Sequence, residues 1–418
     1  MISPILLVAV VIGSLIIIHE FGHLIIAKLC RIQVETFSVG FGPVILRKKL
    51  GSTEYRLSLI PLGGYIKMAG DELDATTGFN AASFGKKTAV ILAGPASNFL
   101  LGIILTVILF AGFGFTTIAP KIIPQPQAIQ AGFEFGDEII SINQDTIRDW
   151  QDIENQFENL INQTAIFQVK RDNKVVEINY PITSDTLPFS AYVVPIIDRV
   201  KKSSPAHKIG LQKGDQIIQI DTFPVKEWSE FVELIRDVTI PTRYLRWQRG
   251  DQILDDSITI TITKDELTQK KIGAVGVWVR LPEKPMPAIN AITTSISRSF
   301  YVAVQTFVII YKVITGEIPK SAIGGPVMVG KLTYEGAQWG IKYLLGLWAI
   351  LSINLCVINL FPVPILDGGR VLLYAIESAI GKKFTKKQWE IAFYIGYALI
   401  ALLLIFALSN DITRLIRR

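Results

Sequence analysis

Four stretches without a charged residue interrupt an otherwise polar chain. They run from Met1 to Ile18, Thr88 to Pro120, Tyr343 to Leu366 and Ile391 to Asn410. Each is long enough to cross about 30 Å of hydrocarbon as a helix. The pattern predicts a polytopic α-helical membrane protein with four transmembrane helices, and it excludes a single soluble globule.

A fifth apolar stretch, Ser299 to Tyr311, is too short to cross a bilayer unaided. Its flanks mix apolar residues such as Ile289 and Ile292 with polar ones such as Asn290 and Arg298. This mixture is typical of an amphipathic helix that lies on a bilayer or on a domain. We therefore expect an amphipathic, membrane-associated region over residues 285–341 rather than a further span.

Charge predicts the topology. Residues 28–87 hold nine basic side chains, and residues 382–387 add four more. Basic loops stay in the cytoplasm, so both termini and the long segment from about Thr116 to Lys342 are expected on the exported side. The net charge of +6 is explained by these loops, and the chain carries no nucleic-acid signature. Cys30 and Cys356 are too far apart in the chain to indicate a disulfide framework.

The exported segment contains an internal repeat. A turn of the form Gly-x-x-x-Gly-Asp, followed by Ile-Ile-x-Ile, recurs 78 residues later, as does an arginine at Arg171 and Arg249. Two copies of one small α+β domain are the economical interpretation. The turn resembles that of PDZ domains, which bind extended peptides or C-termini by adding a strand to a sheet. Binding of peptide C-termini and simple steric filtering are both open at this point.

These features divide the chain into five predicted segments. The first and last hold two membrane helices each, and the first includes a membrane-associated β-hairpin or sheet at 28–88. Two PDZ domains and the amphipathic region lie between them. The predicted bounds are 1–115, 116–195, 196–284, 285–341 and 342–418.

A metal-binding pattern lies in the first apolar stretch. His19-Glu20-Phe21-Gly22-His23 places two imidazoles four residues apart, hence on one face of a helix, with a glutamate beside them. Ionisable groups inside a membrane span are costly and are usually functional. A polar helix-packing motif is the alternative interpretation. The pattern favours a zinc site in which Glu20 handles the proton of a water molecule.

Two histidines leave a catalytic zinc one protein ligand short. Asp367 is the candidate third ligand, because it ends an uncharged stretch in which Pro362 and Pro364 break the helix. An ordinary span terminus with a capping aspartate is the alternative. With four spans, Asp367 and His19 reach the same side of the membrane. A crossing by Ser299 to Tyr311 would place them on opposite sides.

With these motifs together, the chain resembles the site-2 protease family of intramembrane zinc metalloproteases. The resemblance covers essentially the whole chain. Besides the tandem PDZ domains and the histidine motif, it rests on the segments Ser38 to Pro43, Pro61 to Met68, Gly94 to Phe99 and Asn359 to Gly369.

The resemblance implies one Zn²⁺ ion held by His19, His23 and Asp367, with Glu20 as the catalytic base. Asn354 and Asn359 are expected near the scissile peptide, and Asn359 could donate to the substrate backbone or a developing oxyanion. The full set of expected substrate-binding residues is Asn354, Asn359, Pro362, Pro364, Gly63, Gly64 and Tyr65.

The resemblance also implies the substrates and the location. Substrates are single-span membrane proteins first trimmed on the periplasmic side, such as the anti-sigma factor of the sigma-E envelope-stress response, and remnant signal peptides. The protein is expected in the bacterial inner membrane, with both termini and the PDZ domains periplasmic and the active site near the cytoplasmic side.

An enzyme that cuts a transmembrane helix is expected to offer the edge of a β-sheet to its substrate. A peptide bond in a transmembrane helix is shielded by its own hydrogen bonds, so the enzyme must hold the substrate extended. Phe37 to Leu46 and Tyr55 to Met68 are predicted strands that could offer an edge for this. A cytoplasmic hairpin unconnected with substrate is the alternative.

Two rival functions are weighed against intramembrane proteolysis. One is a tandem-PDZ membrane scaffold whose metal centre is inert, and the other is an anchored peptidase with a site outside the bilayer. Turnover of a single-span substrate when Glu20 is replaced, and cleavage of soluble chains, discriminate among the three.

Overall fold

The structure is a computed structural model, and it describes residues 4–72, 76–184, 186–264, 271–281, 283–284, 286–318 and 324–416. The extreme ends of the predicted first and last segments therefore lie outside the described residues. The chain forms two compact units. Unit 1 joins Met1–Phe113 with Pro285–Arg418, and unit 2 is Gly114–Lys284.

Helices make up most of unit 1 and are short in unit 2. In chain order, the helices of the described residues are α1 Pro4–Leu29, α2 Phe84–Phe113, α3 Pro126–Gln130, α4 Trp150–Asn159, α5 Pro205–Lys208, α6 Trp228–Arg236, α7 Ala288–Thr315, α8 Pro326–Trp339, α9 Ile341–Asn359, α10 Asp367–Ile380 and α11 Lys386–Ile416.

Strands form a sheet in unit 1 and most of unit 2. In chain order, they are β1 Val34–Leu50, β2 Thr53–Met68, β3 Phe115–Thr116, β4 Ile122–Pro124, β5 Glu138–Ile142, β6 Asp145–Thr146, β7 Gln163–Arg171, β8 Lys174–Ile182, β9 Phe189–Ala191, β10 Ile197–Val200, β11 Gln216–Ile220, β12 Phe223–Pro224, β13 Thr242–Arg249, β14 Gln252–Thr259, β15 Thr261–Lys264, β16 Lys271–Ala274, β17 Val277–Val279 and β18 Glu283–Lys284.

Four helices of the described residues are long and apolar enough to cross a membrane. They are α1, α2, α9 and α11, with candidate spans at Leu6–Leu29, Phe84–Phe113, Ile341–Asn359 and Lys386–Thr413. The prediction of a helical membrane protein is confirmed to this extent. Much of the apolar surface of α11 is exposed within the unit, as expected of a helix that faces lipid.

The ambiguous stretch Ser299 to Tyr311 lies inside α7 and is not one of these four candidates. The helix packs against the spans of unit 1. Thr306 Oγ1 donates to Asn354 Oδ1 of α9 at 2.8 Å, and the rings of Phe300 and Phe99 of α2 lie 5.0 Å apart. Its buried side includes Ser295 and Ser299, whereas Ile289, Ile292 and Tyr301 are exposed, so the helix is amphipathic and its association with a membrane stays a prediction.

The third apolar stretch is a helix, a break and a second helix. The helix α9 ends at Asn359, and α10 begins only at Asp367, so the span is shorter than the uncharged stretch that predicted it. Pro362 and Pro364 lie in the break. The break folds tightly onto the first turn of α10, because a Cβ on Gly368 would collide with the Leu360 carbonyl.

The strands β1 and β2 form an antiparallel sheet with more segments than a simple hairpin. Both strands bend at glycines with positive φ, Gly40 at 86° and Gly63 at 118°. After bending, residues 34–39 pair with 54–57 on one side and with 64–68 on the other. Residues 44–50 extend the sheet beyond 53–58. Over the described residues, 64–68 is thus an edge segment.

Unit 2 shows the sequence repeat as two similar sheets. Their strand orders are β6-β5-β7-β8 and β12-β11-β13-β14, each antiparallel. Each repeat has its own buried core, and positions 78 residues apart are buried in both cores. Equivalent core pairs are Ile139 and Ile217, Ile142 and Ile220, Ile153 and Phe231, Phe157 and Ile235, and Phe167 and Leu245.

The repeated arginine forms the same buried ion pair in each copy. Arg171 donates from Nε and Nη2 to the two carboxylate oxygens of Asp137, both at 2.8 Å, and from Nη2 to the Gly132 carbonyl. Arg249 makes the equivalent contacts with Asp215 at 2.7 and 2.8 Å. The pair raises the pKa of each arginine through its hydrogen bonds to the aspartate.

We predict that Arg171→Ala destabilises the first repeat by about 3 kcal/mol, since it leaves the fully buried Asp137 carboxylate unpaired. Hydrogen exchange followed by mass spectrometry should show faster exchange over residues 138–182 and no change over 216–259. Lys174→Ala is the matched control, because Lys174 is exposed and lies three residues after Arg171. Equal exchange in the two variants would contradict the structural role of the pair.

Candidate metal centre

The helix α1 brings two histidines together by local geometry alone. His19 and His23 are one turn apart, are 8% and 7% exposed, and have ring centroids 4.8 Å apart. Their Nε2 atoms lie 3.2 Å apart. Neighbours at i and i+4 share a helix face, so the pair needs no tertiary contact to form.

Asp367 joins the pair from a distant part of the chain. It is the first residue of α10, immediately after the break that follows α9. Its Oδ2 atom lies 3.1 Å from His19 Nε2 and 3.7 Å from His23 Nε2. Among the described residues, these two histidines and one aspartate form a group that could hold a metal ion. Their ligand atoms all lie within 4.8 Å of one another.

The group fits a zinc ion. Ligand atoms at about 2.1 Å from a tetrahedral zinc are about 3.4 Å from each other, and the three separations here range from 3.1 to 3.7 Å. Asp367 Oδ2 is buried and accepts no hydrogen bond from the described residues. Two imidazoles and one carboxylate are a donor set of catalytic zinc sites, which keep a fourth position open.

Hydrogen bonds from outside the group orient both rings. His23 Nδ1 lies 2.8 Å from the Val90 carbonyl of α2. The ring nitrogen must donate here, which leaves the lone pair on Nε2. The side-chain amides of Asn98 and Asn359 lie 3.3 and 3.5 Å from His19 Nδ1. Asn98 Oδ1 is buried and has no hydrogen-bond partner in the part of the chain that the structure describes, so an amide turned to present this oxygen would accept from Nδ1–H.

Glycines allow α1 and α2 to cross closely at the site. A Cβ on Gly22 would lie 2.7 Å from Ser97 Oγ, and one on Gly94 would lie 2.5 Å from His23 Cε1 and 2.8 Å from His19 Cε1. Such separations are far inside van der Waals contact. Ser97 Oγ also donates to the Ile18 carbonyl at 2.8 Å and ties the two helices together.

Glu20 lies between the metal-ligand group and the edge of the sheet. The side chain is half-buried, and it interacts electrostatically with His19 and Asp367. A Cβ on Gly64 would lie 3.7 Å from Glu20 Cγ, so the backbone of the edge segment passes directly beside the carboxylate. The structure therefore brings together Glu20, Gly64 and the three ligand candidates.

Of the other expected substrate-binding residues, some lie beside the metal-ligand group and some have side-chain partners elsewhere. Tyr65 accepts a hydrogen bond from Arg56 at 3.3 Å, and Gly63 lies against the ring of Phe41. Asn359 is next to His19, whereas the Asn354 side chain is bonded to Thr306 of α7. Pro362 and Pro364 lie in the break between α9 and α10, within five residues of Asp367.

Two residues of α2 belong to the site and were not predicted to act there. They are Gly94, which makes room for the histidine rings, and Asn98, which contacts His19. Both occur in the segment Gly94 to Phe99, whose small and polar residues are unusual inside an apolar span. That composition is the signal that could have identified them.

Comparison with known proteins gives consistent matches over almost the whole chain. The model of peptidase family M50 matches residues 7–403. The chain is 32% identical to the regulator of sigma-E protease RseP of Escherichia coli and 31% identical to that of Salmonella typhimurium, in both cases over 97% of each chain. It is 30% identical to a Vibrio cholerae protein whose name is that of a zinc metalloprotease, again over 97% of each chain.

The solved structures that resemble part of this chain include PDZ domains. That of an SdrC-like protein of Listeria monocytogenes matches with 24% identity and a TM-score of 0.18, covering 22% of this chain and 90% of that domain. The family match and the relatives, by contrast, extend over both units. The chain therefore belongs to peptidase family M50, the site-2 proteases, and is a zinc metallopeptidase.

Proposed function

We propose that the protein hydrolyses peptide bonds inside the membrane-spanning segments of single-span proteins. One observation carries the proposal: the two histidines are buried where α1 meets α2, both of them candidate spans, and Asp367 joins them from the start of α10. His19 is about 15 Å from the end of α1 at Leu29, and Gly94 is about 15 Å from the start of α2 at Phe84. Both distances support a site within the hydrocarbon layer rather than outside it.

The orientation of the protein is part of the proposal. Basic loops flank the end at which α1 finishes and α2 begins, so this end is assigned to the cytoplasm of a bacterial inner membrane. Both termini and the two repeats, at 116–195 and 196–284, are then periplasmic. We propose PDZ domains for these repeats, acting on substrate choice by binding peptide C-termini or by excluding large chains.

His19, His23 and Asp367 would hold the zinc ion, which when bound would act as the Lewis acid that polarises the scissile carbonyl and acidifies the attacking water. Glu20 accepts the proton of that water and delivers it to the leaving amine, which its place beside the group allows. Asn359 donates to the substrate backbone from its position at the end of α9. The Val90 carbonyl and Asn98 hold the rings in the productive orientation.

The edge segment 64–68 provides a means to hold the substrate extended. A helix hides its peptide bonds, whereas a strand added to a sheet edge exposes them. Gly64 places this edge next to Glu20 without a side chain in between. The relatives are named as regulators of sigma-E, and we propose an anti-sigma factor of the sigma-E response as one substrate class and remnant signal peptides as a second.

We expect Glu20→Gln to retain about one zinc per protein and to lower cleavage of a single-span substrate by at least a factor of about 10². The amide keeps the shape of the carboxylate but cannot take up the proton. Metal analysis of the purified protein and gel detection of the substrate measure the two effects. Glu390→Gln on α11 is the matched control. Unchanged turnover by the Glu20 variant would instead favour a scaffold with an inert centre.

Asp367→Ala should lose both zinc and activity, because two histidines alone leave the ion short of a protein ligand. Bound metal after dialysis against a weak chelator is the readout. Zinc retained at the wild-type level by this variant would exclude Asp367 as a ligand.

Gly94→Ala should lower zinc occupancy, because the added methyl group occupies the space of both imidazoles. Gly112→Ala in the same helix has no atom within 4 Å of the new methyl group and is the matched control. The same metal analysis compares the two. Equal zinc content in the two variants would show that the close approach of α2 is not needed for the site.

A further inference from the structure

A second polar site lies in unit 1, away from the metal centre. It is a cavity of about 240 Å³ between the start of α2 and the end of α10. We call it the lysine cavity and define it by Lys87, Tyr374, Glu377, Ser378, Lys382 and Lys383, with Phe84 at its rim. Along α2, Lys87 precedes Gly94 by seven residues, about 10 Å of helix, so the cavity is separate from the zinc ligands.

The lysine cavity carries a net positive charge. Three lysines line it against one glutamate. Glu377 Oε1 already accepts hydrogen bonds from the Phe384 N–H at 2.7 Å and from Trp389 Nε1 at 3.1 Å. The N-terminal end of α2, the positive end of the helix dipole, adds to this potential.

Lys87 is the most informative lining residue. It is 6% exposed, and its Nζ lies 4.2 Å from the centroid of the Tyr374 ring. Glu377, which lines the same cavity, is the acidic group that interacts electrostatically with Lys87. The Glu377 carboxylate also accepts from Phe384 and Trp389, so it compensates the largely buried ammonium only in part, and incomplete compensation of a buried charge is costly. An anion in the cavity would lower this cost.

The place of the cavity indicates which anion. Two candidate spans begin beside it, α2 at Phe84 and α11 at Lys386, so the cavity opens at the level where helices leave the hydrocarbon. Phe84 at the rim is 39% exposed and offers an apolar surface next to the charges. Phosphate at the end of an apolar tail fits both features, and basic pockets between membrane helices bind such headgroups.

We propose that the lysine cavity binds the phosphate headgroup of an anionic phospholipid in the leaflet where α2 and α11 begin. The phosphate lies among Lys87, Lys382 and Lys383, and the glycerol and first methylenes of the chain cover Phe84. The lipid thereby joins the start of α2, which carries Gly94 and Asn98, to the end of α10, which begins with Asp367. It binds the two helices that must stay together to hold the zinc site.

Ser378 permits a test with minimal change to the fold, since it is exposed and lines the cavity. Ser378→Asp adds a negative charge where the phosphate would lie, and Ser378→Asn adds a neutral group of the same size. Native mass spectrometry of the full chain, titrated with a short-chain phosphatidylglycerol, measures the apparent affinity. We expect the Asp variant to bind roughly fivefold more weakly than the Asn variant, as for one charge near a headgroup. Equal affinities would overturn the proposal.

A pair of double variants separates the cavity from general surface charge. Lys382→Gln with Lys383→Gln removes two lining lysines, whereas Lys386→Gln with Lys387→Gln removes two exposed lysines nearby that do not line the cavity. We expect a loss on the order of tenfold in the first and less than twofold in the second. Similar losses in both would assign the binding to the surface and overturn the site.

Two further probes identify the source of the phosphate. Phosphatidylcholine of the same chain length should bind more weakly than phosphatidylglycerol, because its headgroup has no net charge. Inorganic phosphate should not displace the lipid at equal concentration. Equal binding of phosphatidylcholine, or displacement by inorganic phosphate, would overturn the assignment to an anionic lipid.

Discussion

The site depends on holding two imidazoles and one carboxylate within a few ångströms of each other inside an apolar helix bundle. Each of these groups loses water on burial, and three electron-pair donors without a proton between them repel. The arrangement is stable when a cation compensates it. Two irregular features of unit 1 serve this requirement: the close approach of α1 and α2 at glycines, and the break before α10.

The break between α9 and α10 shows how the carboxylate reaches the histidines. A continuous helix would carry Asp367 about 12 Å beyond Asn359 along its axis, whereas the chain instead turns so that Asn359 and Asp367 both lie beside His19. Two prolines prevent the helix from continuing, and Gly368 and Gly369 let the turn fold onto α10. The freed backbone groups border a polar site, which is where a membrane protein tolerates them.

The parts of the fold that depend on local pattern could be predicted from the sequence. Apolar length predicts the four spans, i to i+4 spacing predicts the histidine pair, and self-similarity predicts the two repeats with Arg171 and Arg249. Asp367 could be predicted as a site residue because it is a lone carboxylate that follows an apolar stretch broken by prolines. Its role as a ligand, like that of Glu20, stays a prediction that the geometry supports.

The parts that depend on contacts between distant segments could not be predicted. Gly94 and Asn98 act through the crossing of α1 and α2, and the bare sequence does not contain that crossing angle. The order of the four segments of the sheet follows from bends at Gly40 and Gly63. The packing of α7 on α2 and α9, through Thr306 and Phe300, likewise joins segments far apart in the chain.

X-ray absorption at the zinc edge of the purified full-length protein tests the central claim most directly. The account predicts a first shell of nitrogen and oxygen at about 2.0–2.1 Å, with outer scattering from two imidazoles. A sulfur shell at about 2.3 Å, which would point to a cysteine ligand, or active protein without zinc would contradict it.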